Sequence, residues 1–427
     1  MFGVGKSGIS AIKLAHKLGI ECFAVNSGEV DSWYEKSGIG QVLEKGKCFN
    51  SGSFDFTSVN KIILSPGIPV THKDLEAAVK RGTPLISEIE WAWEQVSDVP
   101  TIAITGTNGK TTTTTMISEA LKGLGKKVFV GGNIGIPYSE MPLSESHYDY
   151  AVIEVSSFQL ETIKTFHPRI GLILNVFPNH SERYDEVEEY AKAKFRLLNN
   201  MTKDDHVILG EENPYLSHLE KEEVQKTFFM KGKLPWSFDF SHAKVKGEHN
   251  EANFYATYKT LELLGVKNLD GFFQNFIKEF KGVEHRLEFV TEYKGLKVYN
   301  DAKSTNSLAT ATAIKAFKDE AAPLYLILGG KLRNANDRFL PDLLPFKDEV
   351  DEIFTIGEVS KRLKEELGND FIVNSFETVE EVLKAVKGKK GNLIFSPGHP
   401  SFDQFKNFED RGEKFKQFTR EILNDGP

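Results

Sequence analysis

Hydrophobic residues in this chain cluster in short continuous runs, and amphipathic stretches separate one run from the next. Such runs are typical of parallel strands that helices cover on both faces. The pattern predicts strands at 22–26, 61–64, 101–105, 127–130, 150–154, 170–175, 296–299, 324–328, 352–355 and 392–395. Helical periodicity predicts a helix through Leu18 near the start and helices at 112–124, 185–198, 308–317, 379–386 and 413–423. We therefore expect an α/β protein built on parallel sheets.

The order of these elements divides the 427 residues into three segments, 1–98, 99–282 and 283–427. Domains usually hold about 100–200 residues, so three suit this length. The first segment has a doubly wound pattern with a glycine turn, Gly3-Val4-Gly5-Lys6-Ser7-Gly8. Only two residues precede Gly3, so we expect the first strand to be short, or to begin upstream of Met1.

The composition narrows the class of function. The formal net charge of −8 and the pI of about 5.9 argue against non-specific binding to nucleic acid or anionic membranes. Cys22 and Cys48 form neither a metal-binding spacing nor a disulfide framework. We see no apolar stretch of membrane-spanning length and no signal-peptide core at the start. We expect a cytoplasmic, monomeric enzyme with no nucleic-acid or membrane partner.

A glycine-rich turn follows the strand at 101–105 and opens the helix at 112–124, with the sequence Gly106-Thr107-Asn108-Gly109-Lys110-Thr111. Glycines let backbone N–H groups approach phosphates, the helix N-terminus adds positive potential, lysine adds charge and threonine can hold Mg²⁺. Ile104 stands where the general phosphate-loop pattern has glycine, so this loop is a shorter form. The turn predicts a nucleotide-phosphate site.

Two further residues close strands near this loop. Glu154 ends the strand at 150–154, where a Mg²⁺ ligand would lie. His180 follows the strand at 170–175 and is a second candidate metal ligand. The alternatives are a solvated glutamate at a strand end and an ordinary loop histidine.

Lys194 lies on the apolar face of the helix predicted at 185–198. Steps of three and four residues place it on one stripe with Val187, Tyr190, Ala191, Leu197 and Leu198. Lys192 and Arg196 lie off that stripe. A half-buried lysine has a lowered pKa and can react with CO₂ as a neutral amine, giving an anionic carbamate. The alternative is a lysine whose stem packs while its ammonium reaches solvent.

Three polar groups lie later in the chain. Asn250 and Asn253 share one helix face and could bind a purine, although Asn250 could simply cap the helix. The run 301–306, after the strand at 296–299, concentrates a charge pair and hydroxyls. Ser401 could donate to a carboxylate and Phe408 could form a pocket wall, or both could be ordinary loop and core residues.

Together these motifs resemble the Mur ligase family, which joins amino acids to cell-wall precursors with ATP, and within it the member that adds D-glutamate. The resemblance covers essentially the whole chain. The phosphate loop marks the superfamily, and two blocks point to the D-glutamate member. These are Ser156-Ser157-Phe158-Gln159-Leu160-Glu161 and Asp403-Gln404-Phe405-Lys406-Asn407-Phe408-Glu409. The resemblance implies three domains. They are a Rossmann-like UDP-substrate domain at 1–98, a central ATP-binding domain with a parallel sheet like that of P-loop ATPases at 99–282, and a Rossmann-like α/β domain that binds the amino acid at 283–427.

The resemblance also implies roles for matched residues, with ATP, D-glutamate and UDP-N-acetylmuramoyl-L-alanine as substrates. Thr111 and Glu154 would hold one Mg²⁺, and His180 and carbamylated Lys194 a second. The implied catalytic residues are Lys110, Lys194, His180 and Lys303. ATP would be bound by Gly106, Thr107, Asn108, Gly109, Lys110, Thr111, Thr112, Asn250, Asn253, Arg286 and Asp301. The nucleotide sugar would meet Ser65, Pro66, Gly67, Asn133, Ser156 and Gln159, and the amino acid Lys303, Thr305, Arg333, Ser401 and Phe408.

The chain departs from the family pattern at four places. Asn179 replaces an aspartate before His180, and Glu284 replaces a proline. Arg333 stands where the family has a lysine that pairs with a D-glutamate carboxylate, and Arg can form that pair with both of its terminal nitrogens. Gly398 and its neighbours replace a Ser-Pro-Ala-x-Ala-Ser run. The alternatives are a sister ligase for another amino acid, a folate- or cyanophycin-type ligase, or a non-catalytic nucleotide-binding protein.

Overall fold

The computed structural model of the protein describes residues 1–177, 180, 183–210, 215, 223–229, 238–245, 248–318, 320–332 and 338–423. The chain divides into two compact units, Met1–Ser237 with Glu251–Phe273, and Phe238–Asn250 with Gln274–Pro427. Among the described residues no helix is both long enough and apolar enough to cross a membrane. Arg333 and Asn179 lie outside the described residues.

The first unit begins with a small parallel sheet. Its strands are β1 (Ala24–Asn26), β2 (Cys48–Asn50), β3 (Ile62–Leu64) and β4 (Leu85–Ser87). β1 pairs with β2 and β3 with β4, and Phe2 forms a parallel bridge to both Val25 and Leu64. The predicted short first strand is confirmed, because Phe2 alone stands at the centre of this sheet. The surrounding helices are α1 (Lys6–Lys17), α2 (Val30–Ser37), α3 (Glu76–Arg81) and α4 (Glu88–Val96).

The rest of the first unit is built around a six-stranded parallel sheet. Its strands are β5 (Thr101–Thr105), β6 (Val128–Gly132), β7 (Tyr150–Glu154), β8 (Ile170–Ile173), β9 (His206–Gly210) and β10 (Gln225–Phe229). The spatial order is β10-β9-β8-β5-β7-β6. After β5 the chain adds β6 and β7 on one side of that strand, and later it adds β8, β9 and β10 on the other side. Such a reversal of strand order leaves a crevice at the carboxyl end of the sheet.

Helices cover both faces of this sheet, which explains why its strands are nearly uniformly apolar. They are α5 (Lys110–Gly123), α6 (Glu140–Leu143), α7 (Ser157–Leu160), α8 (Val187–Phe195), α9 (Glu248–Leu263) and α10 (Leu269–Glu279), of which 251–273 belong to this unit. The helix predicted at 185–198 is shorter, because its last turn tightens into a 3₁₀ turn at Arg196–Leu198. β9 and β10 were not predicted.

The second unit holds another six-stranded sheet, with the order β11-β12-β16-β13-β14-β15. Its strands are β11 (Glu288–Tyr293), β12 (Leu296–Asn300), β13 (Leu324–Gly329), β14 (Glu352–Ile356), β15 (Val373–Ser375) and β16 (Gly391–Gly398). Only the edge pair β11–β12 is antiparallel among the pairings of these strands. The helices are α11 (Ser307–Lys315), α12 (Leu340–Leu343), α13 (Ser360–Leu367), α14 (Val379–Ala385) and α15 (Phe408–Leu423).

Candidate active site

The glycine turn predicted as a phosphate site joins the central strand β5 to α5. Gly109 immediately precedes the helix with φ of +83°, a conformation that favours glycine. A Cβ atom at Gly109 would lie 2.6 Å from Oδ1 of Asn253, so a larger residue would also collide with α9. The first N–H groups of α5 have no partner within the helix and carry partial positive charge. The turn is therefore built to receive an anion.

Two lysines converge on one backbone oxygen of this turn. Nζ of Lys110 donates to the carbonyl oxygen of Gly106 at 2.8 Å, and Nζ of Lys194 donates to the same oxygen at 2.9 Å. Lys194 is 1 % exposed, which confirms its predicted place on the apolar stripe, while Lys192 and Arg196 are exposed. Burial, and then the charge of Lys110, hold the pKa of Lys194 well below its usual range. The neutral amine is therefore more favoured in Lys194 than in an exposed lysine.

A buried carboxylate lies beside the first turn of α5. Glu154 ends β7, the strand paired with β5, as predicted. Its Oε2 accepts from the hydroxyl of Thr111 at 2.8 Å, and its Oε1 accepts from Nδ2 of Asn133 at 2.8 Å. A hydroxyl and a carboxylate at this spacing are oxygen donors of the kind that Mg²⁺ prefers.

His180 and Lys194 share a neighbour, Tyr190 of α8. The His180 and Tyr190 ring centroids are 5.8 Å apart, and Nζ of Lys194 lies 4.4 Å from the centre of the same ring. The His180 ring also contacts that of Phe158 at 4.8 Å. β8, which leads toward His180, pairs with β5 on the side opposite β7. The candidate metal ligands therefore flank the phosphate loop, as the strand ends predicted.

Two side chains that the sequence did not predict as site residues hold the loop. Oδ1 of Asn175 accepts from the backbone N of Asn108 at 2.8 Å, and its Nδ2 donates to the Asn108 carbonyl at 3.1 Å. The hydroxyl of Tyr190 lies 3.3 Å from that of Thr107. Asn175 was predicted as the last residue of a strand, but β8 ends at Ile173. A polar residue directly after an apolar strand was the available signal.

A cleft lies between the small sheet and α7. It is lined by Leu64, Ser65, Pro66, Ile68, Val70, Ser87, Phe158, Gln159, Glu161, Thr162 and Arg183. The cleft brings together two residues of the predicted Ser65–Gly67 group with Gln159. Gly67 is exposed and does not line it. Arg183, which was not predicted, places a cation here and forms an ion pair with Glu161 at 2.5 Å.

Ser156 and Gln159 also have a local structural role. Gln159 N donates to the hydroxyl of Ser156 at 3.3 Å, and Ser156 N donates to Oε1 of Gln159 at 3.0 Å. This reciprocal pair is the capping box of α7. The spacing Ser-x-x-Gln is the sequence signal of this box. The prediction from sequence gave these two residues only a role in binding substrate.

The second unit collects the later candidates around the carboxyl ends of β12 and β16. Asp301 is buried, and its carboxylate accepts from the hydroxyls of Ser304 at 2.5 Å and Ser396 at 2.7 Å. Burial raises the pKa of Asp301 to about 6. Arg286 is exposed on a turn in which His285 and Leu287 both have positive φ.

The predicted amino-acid residues lie near the same strand ends. Nζ of Lys303 is 5.9 Å from the ring centre of Phe408, the first residue of α15. Lys303 is exposed, Thr305 is half-buried and Ser401 is buried. Arg333 belongs to the same prediction and lies outside the described residues. The helix capping considered for Asn250 is wrong, because α9 begins at Glu248 and Asn250 lies inside it.

Comparisons with known proteins agree with these motifs. A sequence model described as the Mur ligase middle domain matches residues 104–270. Curated relatives named UDP-N-acetylmuramoylalanine–D-glutamate ligase include one from Thermoanaerobacter sp. (strain X514), 33% identical over 98% of this chain and 97% of that protein. Another, from Aquifex aeolicus (strain VF5), is 34% identical over 98% of this chain and 97% of its own length.

Solved structures share the fold at low identity. The UDP-N-acetylmuramate–alanine ligase of Thermotoga maritima has a TM-score of 0.56 at 19% identity and covers 98% of both chains. The folylpolyglutamate synthase of the same organism has a TM-score of 0.57 at 15% identity, covering 79% of this chain and 93% of its own. The fold is thus shared by several ligases, whereas the two curated relatives described above carry one name. The chain belongs to the Mur ligase family, in the group formed by the UDP-N-acetylmuramoylalanine–D-glutamate ligases.

Proposed function

We propose that the chain joins D-glutamate to UDP-N-acetylmuramoyl-L-alanine with the hydrolysis of ATP to ADP and phosphate, in the synthesis of peptidoglycan precursors. The observation that carries this proposal is the sequence identity of about one third, over nearly the whole chain, between this protein and UDP-N-acetylmuramoylalanine–D-glutamate ligases. The phosphate loop and its flanking carboxylate support an ATP-dependent reaction. The enzyme is proposed to act as a monomer in the cytoplasm.

The reaction forms an amide in two steps. A carboxylate oxygen of the nucleotide sugar attacks the γ-phosphorus of ATP, the bond to the bridging oxygen breaks, and ADP leaves. The amine of D-glutamate then attacks the acyl carbon, loses a proton, and phosphate leaves from the tetrahedral intermediate. The reactants are all anions, so the protein must neutralise charge and hold them in line. Lys110 and the N–H groups at the start of α5 do this for the phosphates.

Thr111 and Glu154 fit a Mg²⁺ site, because a hydroxyl and a buried carboxylate oxygen lie 2.8 Å apart next to the phosphate loop. Bound there, Mg²⁺ would offset the negative charge that the phosphates develop. Asn133 donates to the other oxygen of Glu154 and so fixes the orientation of the carboxylate. We assign Asn133 to this support as well as to the substrate.

Lys194 fits a second Mg²⁺ only after its ammonium is replaced by an anion. Its lowered pKa favours the neutral amine, whose nitrogen can form a bond to the carbon of CO₂ and release one proton to solvent. The resulting carbamate and the imidazole of His180 would then be the ligands that the protein provides. Retention of a ¹³C carbamate signal from labelled bicarbonate by the parent protein, and its loss in Lys194→Ala, would test this step without an activity measurement.

The remaining substrates occupy the other groups of residues. The cleft that contains Ser65, Pro66 and Gln159 is proposed to take the nucleotide sugar, with Arg183 as a cation for its phosphates. In the second unit, Arg286 and Asp301 are proposed to contact ATP. The amino-acid pocket is assigned to Lys303, Thr305, Ser401 and Phe408, together with Arg333.

A phosphate-release assay with ATP, Mg²⁺ and UDP-N-acetylmuramoyl-L-alanine tests the function. We expect release only with D-glutamate from a panel that includes L-glutamate, L-alanine, glycine, L-lysine and meso-diaminopimelate. Lys110→Ala should abolish release, because no other side chain at the start of α5 offers a cation to the γ-phosphate. Turnover of another amino acid in preference to D-glutamate would overturn the proposed substrate and favour a sister ligase.

A further inference from the structure

Arg411 is a fully buried arginine, 1 % exposed, near the start of α15. Its Nη1 donates to the carbonyl oxygen of His399 and its Nη2 to that of Ala302, both at 2.8 Å. Burial lowers the pKa of Arg411 to about 10, which still leaves the group charged at neutral pH. Burying an ion is costly unless hydrogen bonds or an opposite charge compensate for its lost hydration. Here they bridge two backbone segments.

The two bridged segments carry residues of the proposed amino-acid pocket. Ala302 immediately precedes Lys303 in the loop after β12. His399 lies two residues before Ser401 in the loop after β16. β12 and β16 are neighbouring parallel strands, so their loops leave the same edge of the sheet. Arg411 therefore sets the spacing between the two loops beyond that edge.

The next residue, Gly412, shows how closely α15 approaches these loops. A Cβ atom at Gly412 would lie 2.2 Å from Nδ1 of His285, so only glycine fits without a shift. The carbonyl of His285 accepts from the backbone N of Lys303 at 3.0 Å. The helix that carries Phe408 is thus fixed against the Lys303 loop by two adjacent residues, Arg411 and Gly412.

The ATP-side residue of this loop has other support. The carboxylate of Asp301 accepts from Ser304 and Ser396, and also from the backbone N of Leu287 at 3.2 Å. None of these bonds involves Arg411, although the charges of Asp403 and, to a smaller extent, Asp301 help to keep Arg411 protonated. Loss of the two Arg411 hydrogen bonds should therefore disturb the residues proposed for the amino acid more than Asp301, which is proposed to contact ATP.

We infer that Arg411 is a positioning residue for the incoming amino acid, which holds the Lys303 and Ser401 loops at the spacing that the substrate requires. The inference rests on the proposed function, and in particular on the pocket assigned above. Arg411 does not contact the substrate. A misplacement of about 1 Å can cost roughly a hundredfold in catalysis, so a lost bridge is sufficient to impair the use of the incoming amino acid.

The test compares Arg411→Met, Arg411→Lys and the parent, with Arg420→Met as the matched control, because Arg420 is an exposed arginine on the same helix. KM values for D-glutamate, ATP and the nucleotide sugar are measured with the melting temperature of each variant. We expect Arg411→Met to raise the KM for D-glutamate at least tenfold and to leave the other two within about twofold. Arg411→Lys should recover part of the loss, and Arg420→Met should match the parent.

A purely structural role would lower the active fraction and the melting temperature and leave every KM unchanged, and that result would overturn the inference. Equal increases in all three KM values would overturn it too. If Arg411→Met does not fold, the KM ratio of Arg411→Lys decides. Ser401→Ala separates this inference from the proposed pocket. No change in KM for D-glutamate there would refute the pocket itself, whereas an increase there without one in the Arg411 variants would refute the positioning role alone.

Discussion

Charged side chains are buried in this protein for different reasons. Lys194 contacts the phosphate loop and the ring of Tyr190, so it is buried beside the candidate active site. Glu90 is also completely buried, but its carboxylate has no access to a substrate. The sequence predicted the first and not the second. Lys194 was found because helical periodicity is local, whereas the partners of Glu90 lie more than seventy residues further along the chain.

The carboxylate of Glu90 anchors the segment that follows α7. Oε1 accepts from the backbone N and the hydroxyl of Thr165 at 2.7 and 2.6 Å, and Oε2 accepts from the backbone N of Lys164 and Phe166 at 2.9 and 3.0 Å. Glu90→Gln places an NH₂ group against two donors. We expect a loss of about 2–5 kcal/mol in the free energy of unfolding, measured by urea denaturation.

Glu94→Gln is the control for that experiment, because Glu94 lies on the same helix and is exposed. Its ion pair with Lys61 should contribute no more than about 1 kcal/mol. Equal losses in both variants would mean that the four hydrogen bonds of Glu90 stabilise the fold no more than a surface pair does.

The carbamylation proposed for Lys194 predicts a function that depends on the chemistry of its side chain and not on its packing. We expect Lys194→Ala to lose most activity, and short carboxylic acids added to the assay to restore part of it by supplying the missing anion. Lys192→Ala, at the exposed position two residues earlier, should retain activity. Full activity of Lys194→Ala would show that no anion is needed at this position.

At the scale of elements, the sequence predicted the strands that hold the phosphate loop almost to the residue. β5 and β7 match their predictions, because their apolar runs end abruptly at polar residues. The helix α4 was missed, although Ser87-x-x-Glu90 has the spacing of a capping box and the hydroxyl of Ser87 does accept from Glu90 N at 3.3 Å. Two glutamates in its first turn suggest an exposed helix start, but both are buried, Glu88 where α4 packs against α6 and Glu90 against the segment that follows α7.

Glu88 joins these two helices. Its Oε1 accepts from the backbone N of Ser139, just before α6, at 2.5 Å, and its Oε2 is buried with no hydrogen-bond partner among the described residues. Burial raises the pKa of Glu88 to about 7 from its ordinary value of 4.5. The folded protein therefore binds a proton here that the unfolded chain releases above its ordinary pKa.

The consequence is a loss of stability as the pH rises. The contribution of protonated Glu88 is complete below about pH 4.5 and is lost progressively up to about pH 7. Glu88→Gln keeps the acceptor oxygen and cannot ionise. The free energy of unfolding of this variant should therefore rise relative to that of the parent across this window, by up to about 3 kcal/mol. Unfolding free energies of both proteins from pH 5 to 8.5 measure the difference. A difference that does not vary with pH would show that Glu88 stays ionised in the folded protein.

At the scale of the molecule, the sequence predicted the parallel α/β architecture and the family, because glycine turns, strand-end carboxylates and family blocks are all local signals. It predicted which strand ends would converge on the phosphate loop, since neighbouring parallel strands present their carboxyl ends together. It did not predict Asn175, Arg183 or Arg411 as supports of the sites. Each acts through residues that only tertiary structure brings near, and the role of Arg333 remains a prediction from sequence.

The single central residue of the first sheet has a consequence for how the molecule opens. β1 with β2, and β3 with β4, are pairs of three-residue strands that meet only through Phe2 and its neighbours. The amides of Phe2 and Ser65 form hydrogen bonds of 2.9 Å at this seam, the line along which the two strand pairs meet. These amides should exchange with deuterium by local opening, well before the amides of β5. Equal protection of the seam and β5 would mean that both open only in global unfolding.

Ser65 belongs both to this seam and to the lining of the cleft that is proposed to take the nucleotide sugar. A ligand in the cleft would hold β3 in place and thereby slow exchange on the far side of the seam, at β1, which it does not touch. Hydrogen exchange at β1 would then report occupancy of the cleft, so that a weakly joined sheet registers binding at a site that β1 does not touch.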